Sequence, residues 1–198
     1  TMAFNNHPTF FGGKSGCGKS ILVDRCVKKL SNTIPMGGQS CRAIKLSYSS
    51  HTSSLFAQSS LEKKLSRKRK NLLGAPEGKK HIIFIDDVNL PTPEKWGAQP
   101  SIELMRQLLD RGGFYDRDKL FWVTVQSCMY AATAAPPGGG RHHLPLRFTR
   151  HFSMFAMDTH SVDAIKGIFS PILSGFFGEF PEQVKGTLGP MITATIDM

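Results

Sequence analysis

Long apolar runs are missing: no stretch of the 198 residues approaches the ~18 apolar positions that a membrane-spanning helix needs. Cysteine is scarce, and the 4 present (Cys17, Cys26, Cys41, Cys128) form neither C-x-x-C pairs nor the framework of a small secreted domain. A reduced, cytosolic setting is therefore expected. Thr1-Met2-Ala3-Phe4 has no basic start leading into an apolar core, so no secretion signal is read, and a first residue of Thr suggests an excised piece. Negative charge is also in short supply, with 15 Asp+Glu against 25 Lys+Arg and a formal net charge of +10. That excess fits nucleic acid, acidic partners or one solvated basic face equally well. At 40% hydrophobic and 20% charged residues the chain is not of the disordered class. Its length allows a core that needs no disulfide or structural metal.

What the chain does have is an alternation of strand-like and helix-like segments. Pro8 to Phe11 reads as a short strand, and Leu22, Val23, Cys26, Val27 and Leu30 repeat at helical spacing before a turn at Pro35–Gly38. Ala43 to Tyr48 alternates as a strand does. Thr52 to Leu73 reads as a polar, exposed helix ending at Gly74-Ala75-Pro76. His81-Ile82-Ile83-Phe84-Ile85 is a continuous β-branched and aromatic run, as expected of a strand covered on both faces. Pro100 opens a helix that Gly112-Gly113 closes. Leu120 to Ala131 and Phe152 to Met157 read as further strands. Val162 to Leu173 carries a helical stripe that Pro171 is expected to kink or end. Such alternation predicts an α/β fold with a mainly parallel sheet.

Within this pattern, Gly13-Lys14-Ser15-Gly16-Cys17-Gly18-Lys19-Ser20 fits G-x-x-x-x-G-K-[ST], placed between a strand and a helix. Glycines at these points let successive N–H groups surround phosphate oxygens, and the helix that follows adds its positive end. The pattern assigns Lys19 to the β- and γ-phosphates and the Ser20 hydroxyl to Mg²⁺. Ile82-Ile83-Phe84-Ile85-Asp86-Asp87 supplies the complementary acid at the end of a buried strand, with Asp86 beside the Mg²⁺. Asp87 stands where many ATPases carry a Glu that polarises the attacking water. Its side chain is one methylene shorter, and errors of ~1 Å in placement can cost ~100-fold in rate.

Longer strings carry a more specific resemblance. Lys63-Lys64-Leu65 through Lys70, Gly74-Ala75-Pro76-Glu77-Gly78-Lys79-Lys80, Ile85-Asp86-Asp87-Val88-Asn89-Leu90-Pro91, Lys95 through Leu104, Leu109 through Asp116, Pro136 through Arg141 and Arg147 through Phe152 resemble the third AAA+ module of dynein heavy chains, the axonemal ones in particular. The resemblance implies a P-loop α/β fold: a five-stranded, mainly parallel sheet between helices in residues 1–175, then the truncated start of a helical lid in 176–198. It implies one module of a six-module ring that binds ATP or ADP with Mg²⁺ and regulates a microtubule motor of the cytoplasm, cytoskeleton and ciliary or flagellar axoneme. Neighbouring modules of the same heavy chain, microtubules through the intact motor and other dynein subunits are the implied partners. Nucleic acid and membrane are not. By the same resemblance Arg150, and after it Arg147, is the arginine finger that reaches the preceding module's nucleotide.

Some positions depart from the family pattern. Ala135 occupies the place before the double proline where an Asn is usual, and alanine has no side-chain hydrogen bond to offer. The chain also stops before the lid arginine that senses nucleotide. With Asp87 in place of Glu, these departures lead to an expectation of nucleotide binding with weak or absent hydrolysis. Two other readings remain open. One is a non-hydrolysing structural module. The other is a helicase-like, nucleic-acid-dependent ATPase, suggested by Lys63, Lys64, Arg67, Lys68, Arg69 and Lys70, although no aromatic residues are interleaved for base stacking.

Overall fold

The computed structural model describes residues 7–32 and 40–197; the expected turn at Pro35–Gly38 lies outside them. The chain divides into two compact units, residues 1–157 and 158–198. That division falls earlier than the subdomain boundary expected at residue 175.

The first unit is built on a five-stranded sheet. Its strands are β1 (Thr9–Gly13), β2 (Ser40–Ser47), β5 (Lys79–Asp86), β8 (Cys128–Ala134) and β9 (Ser153–Met157), in the order β2-β5-β8-β1-β9 and with every pair parallel. The α/β, parallel-sheet fold read from the sequence is therefore present. β5 explains why its run was continuously apolar. Ile83 and Ile85 face a core formed with α2 (Ser54–Lys64) and α3 (Pro100–Arg111), through Ala57, Leu61, Ile102, Met105 and Leu108. Ile82 and Phe84 point the other way, onto Val23 and Val27 of α1 (Lys19–Asn32). Burial on both sides removes the alternation that a half-exposed strand would show.

A second, four-stranded sheet is formed by β3 (Ser66–Arg69), β4 (Leu72–Gly74), β7 (Trp122–Gln126) and β6 (Gly113–Tyr115), in the order β3-β4-β7-β6. Two sequence expectations change here. The helix expected over Thr52–Leu73 ends at Lys64, and residues 66–74 form an antiparallel hairpin instead. Continued as a helix, Lys63, Lys64, Arg67, Lys68 and Lys70 would stack like charges three and four positions apart. In the hairpin Leu73 is buried in the core that also holds Leu61 and Leu108, while Ser66 to Arg69 are all exposed. The basic cluster therefore straddles a helix end and an edge strand and is not a helix face. The single strand expected over Leu120–Ala131 is likewise two strands. Ser127, with φ 59°, breaks the run, so that β7 joins the small sheet and β8 the large one. A short helix, α4 (Leu146–Thr149), leads into β9.

The second unit is helical: α5 (Val162–Phe176), a 3₁₀ turn over Phe177–Glu179, α6 (Glu182–Lys185) and α7 (Leu188–Asp197). The Ser161 hydroxyl caps α5 by accepting from the Ala164 N–H at 3.2 Å. Helix α5 runs past Pro171 to Phe176, where the sequence predicted a kink or an end. Phe176, Phe177 and Phe180 form an aromatic cluster with ring centroids 5.3–5.9 Å apart, and α5 packs on α7.

Candidate nucleotide-binding site

The carboxyl ends of β1, β5 and β8 meet at one edge of the main sheet, and the pairing register brings specific residues there. Ile85 lies opposite Ala132, so Asp86 and Thr133 follow side by side; Gly12 lies opposite Ala134 on the other flank of β8. In open parallel sheets this edge is where ligands bind. Residues Gly13 to Ser20 lead from the end of β1 into the first turn of α1. Gly16 and Gly18 adopt φ of 85° and 83°, which residues with a Cβ rarely do. At Gly13 a Cβ would collide with the carbonyl of Met157 on β9. The sequence pattern of the loop thus matches its backbone demands.

Lys19 is 93% buried, and its ammonium donates to the carbonyls of Gly13 and Lys14, both at 2.7 Å, with the Cys17 sulfur at 3.6 Å. The cation is held inside the loop by the loop's own backbone. To meet a phosphate it exchanges carbonyl oxygens for phosphate oxygens, a swap between two sets of charge-assisted hydrogen bonds. Cys17 is buried beneath it, whereas Lys14, Ser15 and Gly16 lie exposed at the tip.

Ser20 and Asp86, far apart in sequence, come together: the Ser20 hydroxyl donates to Asp86 Oδ1 at 2.6 Å. The same oxygen accepts the Thr133 hydroxyl at 2.6 Å, and Asp86 Oδ2 pairs with the Lys45 ammonium at 3.2 Å. Burial by itself raises the Asp86 pKa, but the Ser20 and Thr133 hydroxyls and the Lys45 cation outweigh it. Together they hold the carboxyl below its ordinary range. Asp87 turns away in the left-handed region at φ 51°, and its backbone N–H donates to Thr133 Oγ1 at 3.1 Å. Asx residues tolerate that conformation better than most.

Thr133 and Lys45 were not singled out from the sequence. For Thr133 a signal was available: it is the one polar residue in Ala131-Ala132-Thr133-Ala134-Ala135, and it is fully buried. Lys45 carried no such mark, being one more lysine on an alternating strand. Ala135, read as the departure from the usual Asn, is buried and takes part through its backbone, where its carbonyl accepts from Asn89 Nδ2 at 2.7 Å. Beside the loop a cavity of about 650 Å³ is lined by Gly13, Lys14, Ala135, Pro136, Phe155 and Met157, among others.

Arg147 and Arg150 stand apart from this constellation in their partners. Arg147 pairs with Glu103 at 2.8 Å and Arg150 with Asp110 at 3.0 Å, both acids on α3. Arg106 joins both acids, and His151 reaches Asp110 at 2.9 Å. Burial works to raise the Asp110 pKa, and Arg150, His151 and Arg106 around it bring it below the ordinary range. The two arginine side chains remain 59% and 63% exposed, so these surface pairs leave them reachable by an incoming anion.

A glycine-bearing loop after the first central strand, a lysine within it and a carboxylate at the end of a neighbouring strand define a P-loop α/β domain. A sequence profile described as the P-loop containing dynein motor region matches residues 1–160. The chain is 42% identical over 195 residues to dynein axonemal heavy chain 6 of Homo sapiens, covering 97% of this chain and 4% of the relative. It is 38% identical over 167 residues to dynein axonemal heavy chain 12 of Mus musculus, with coverages of 84% and 5%. It is 31% identical over 195 residues to the dynein-1-alpha heavy chain of the flagellar inner arm I1 complex of Chlamydomonas reinhardtii, with coverages of 98% and 4%. The chain belongs to the family of P-loop containing dynein motor regions. It spans only a small part of the length of these relatives, about one twenty-fifth in the first case.

Proposed function

We propose that this chain is an AAA+ module of an axonemal dynein heavy chain, the third of the ring, and that it binds ATP or ADP with Mg²⁺ to regulate the motor. The observation that carries the reading is the meeting of Ser20 with Asp86 at 2.6 Å beneath a complete phosphate loop. A hydroxyl and a carboxylate are hard oxygen donors and fit Mg²⁺, which is commonly held by one or two carboxylates together with substrate phosphates. Ser20 would ligate the ion and Asp86 would hold its water shell. The bound ion would neutralise charge on the β- and γ-phosphates. Gly13 to Ser20 supply the N–H groups and Lys19 the cation for those phosphates.

In this reading turnover is weak or absent. Asp87 is the water-polarising candidate, but its side chain is one methylene shorter than a Glu, and its backbone N–H is tied to Thr133 Oγ1. Arg150, with Arg147 second, serves the nucleotide of the preceding module once released from α3. The intact protein would work in the ciliary or flagellar axoneme on microtubules, with neighbouring modules and other dynein subunits as partners. The relatives' names support that setting.

The test is nucleotide affinity with and without Lys19→Ala, with circular dichroism to verify folding because Lys19 is buried. Loss of binding in a folded variant is expected, and equal affinity overturns the reading. Turnover by the purified chain at ordinary enzyme rates of ~1–10³ s⁻¹ overturns its regulatory part.

A further inference from the structure

We propose that Lys45 is a positioning residue of this site: its ammonium is a resident counter-cation for Asp86 that competes with Mg²⁺ and makes nucleotide binding less dependent on the metal. The inference rests on the Mg²⁺–nucleotide reading above and goes beyond it. Lys45 extends from β2, the edge strand next to β5, on the face that carries Phe84. Three contacts fix where its ammonium sits. It lies 3.2 Å from Asp86 Oδ2, 3.8 Å from Asp24 Oδ2 on α1, and 5.5 Å from the centre of the Phe84 ring. An aromatic face under a cation and two flanking carboxylates hold the flexible lysine stem in one place.

The lone pairs of Asp86 are thereby divided. Oδ1 takes the Ser20 and Thr133 hydroxyls, and Oδ2 takes the cation. A divalent ion that uses Asp86 meets a carboxylate whose charge is already offset, and like charges repel at that range. Lys45 is 41% exposed in its side chain, so solvent moderates the effect without removing it. Asp24 acts in the opposite sense, because it shares the ammonium and draws it from Asp86.

The experiment measures the affinity of a fluorescent ATP analogue in excess MgCl₂ and in excess EDTA, together with Mn²⁺ binding in the presence of ATP followed by electron paramagnetic resonance. Lys45→Gln is expected to raise the ratio of Mg²⁺ to EDTA affinities roughly three- to tenfold and to tighten Mn²⁺ binding. Lys45→Arg keeps the charge and should stay near the natural chain. Asp24→Asn leaves the ammonium committed to Asp86 and should lower the ratio, a change of opposite sign that loss of folding would not produce. An unchanged ratio in both Lys45→Gln and Asp24→Asn, or Lys45→Arg behaving as Lys45→Gln, overturns the proposal while leaving nucleotide binding intact. A natural chain that binds no nucleotide in either buffer overturns the underlying reading as well.

Discussion

Thr133 donates its hydroxyl to Asp86 and accepts the backbone N–H of Asp87, so one buried side chain on β8 orders the last residue of β5 and the residue after it. Thr133→Ala leaves the Asp87 N–H without its acceptor and Asp86 with one donor fewer. It should cost about 1–3 kcal/mol, while Thr133→Ser, which keeps the hydroxyl, should retain most of that. Urea unfolding at neutral pH checks this; coincident midpoints for Ala and the natural residue would remove Thr133 from the network. His81, on β5 with Asp86, shows the opposite condition. Its ring is buried, and among the described residues neither nitrogen has a hydrogen-bond partner within normal geometry. Burial lowers its pKa; an interaction with the Arg42 backbone partly offsets this, and the Arg42 charge adds to it. In the unfolded chain the ring takes a proton near ~6.5, in the folded chain only at lower pH. Between those values the unfolded state binds more protons, so stability falls as pH drops below about 6.5 and levels off once the folded ring also titrates. Thermal melts from pH 7.5 to 5.5 should show a steeper decline for the natural chain than for His81→Leu, and parallel curves would contradict the assignment.

The hairpin β3–β4 is held by a close approach at Gly74, where a Cβ would run into the Gln126 carbonyl of β7, its parallel neighbour. Gly74→Ala forces the two strands apart and should cost about 1–3 kcal/mol, as overpacking does. Amide hydrogen exchange should quicken in β4 and β7 but not in β5, which lies in the other sheet; equal quickening in β5 would mean that the two sheets open together. This element was also the least legible in the sequence. Leu73 enters the core on a strand placed by its pairing with β7, residues some fifty positions away, and local spacing carries no trace of it. The Ser127 break was hidden for a similar reason: a left-handed serine looks like any other residue until two sheets compete for the strands on either side of it. By contrast β5, α1 and α3 were readable because their own residues decide them. In β5 the run is continuously apolar, and Pro100 and Gly112 mark the ends of α3. Within the site, the loop and Asp86 came from spacing, whereas Lys45 became visible only when β2 was paired with β5.

At the scale of the whole chain, every residue proposed to touch nucleotide phosphate or its metal lies in the unit formed by residues 1–157, and none in residues 158–198. A ligand that binds the folded form stabilises the unit containing its site by RT ln(1 + [L]/Kd), about 2.7 kcal/mol at a hundred times Kd. Excess ATP with Mg²⁺ should therefore slow hydrogen exchange most in Gly13–Ser20, at Asp86 and Asp87, and across the cores of β5 and β8. Slowing through α5 and α7 should be smaller, because linkage reaches that unit only as far as the two unfold together. The same measurement on Lys19→Ala should show no slowing in either unit. The net charge of +10 bears on the outcome, since nonspecific anion binding would also protect exposed basic segments. Inorganic phosphate at matched ionic strength separates the two effects: it should reproduce any protection at the exposed β3 edge, Arg67 to Arg69, but not the protection of the buried β5 core. Equal slowing of both units by ATP, persisting in Lys19→Ala, would show that the chain responds to anions through its surface charge and not through the loop.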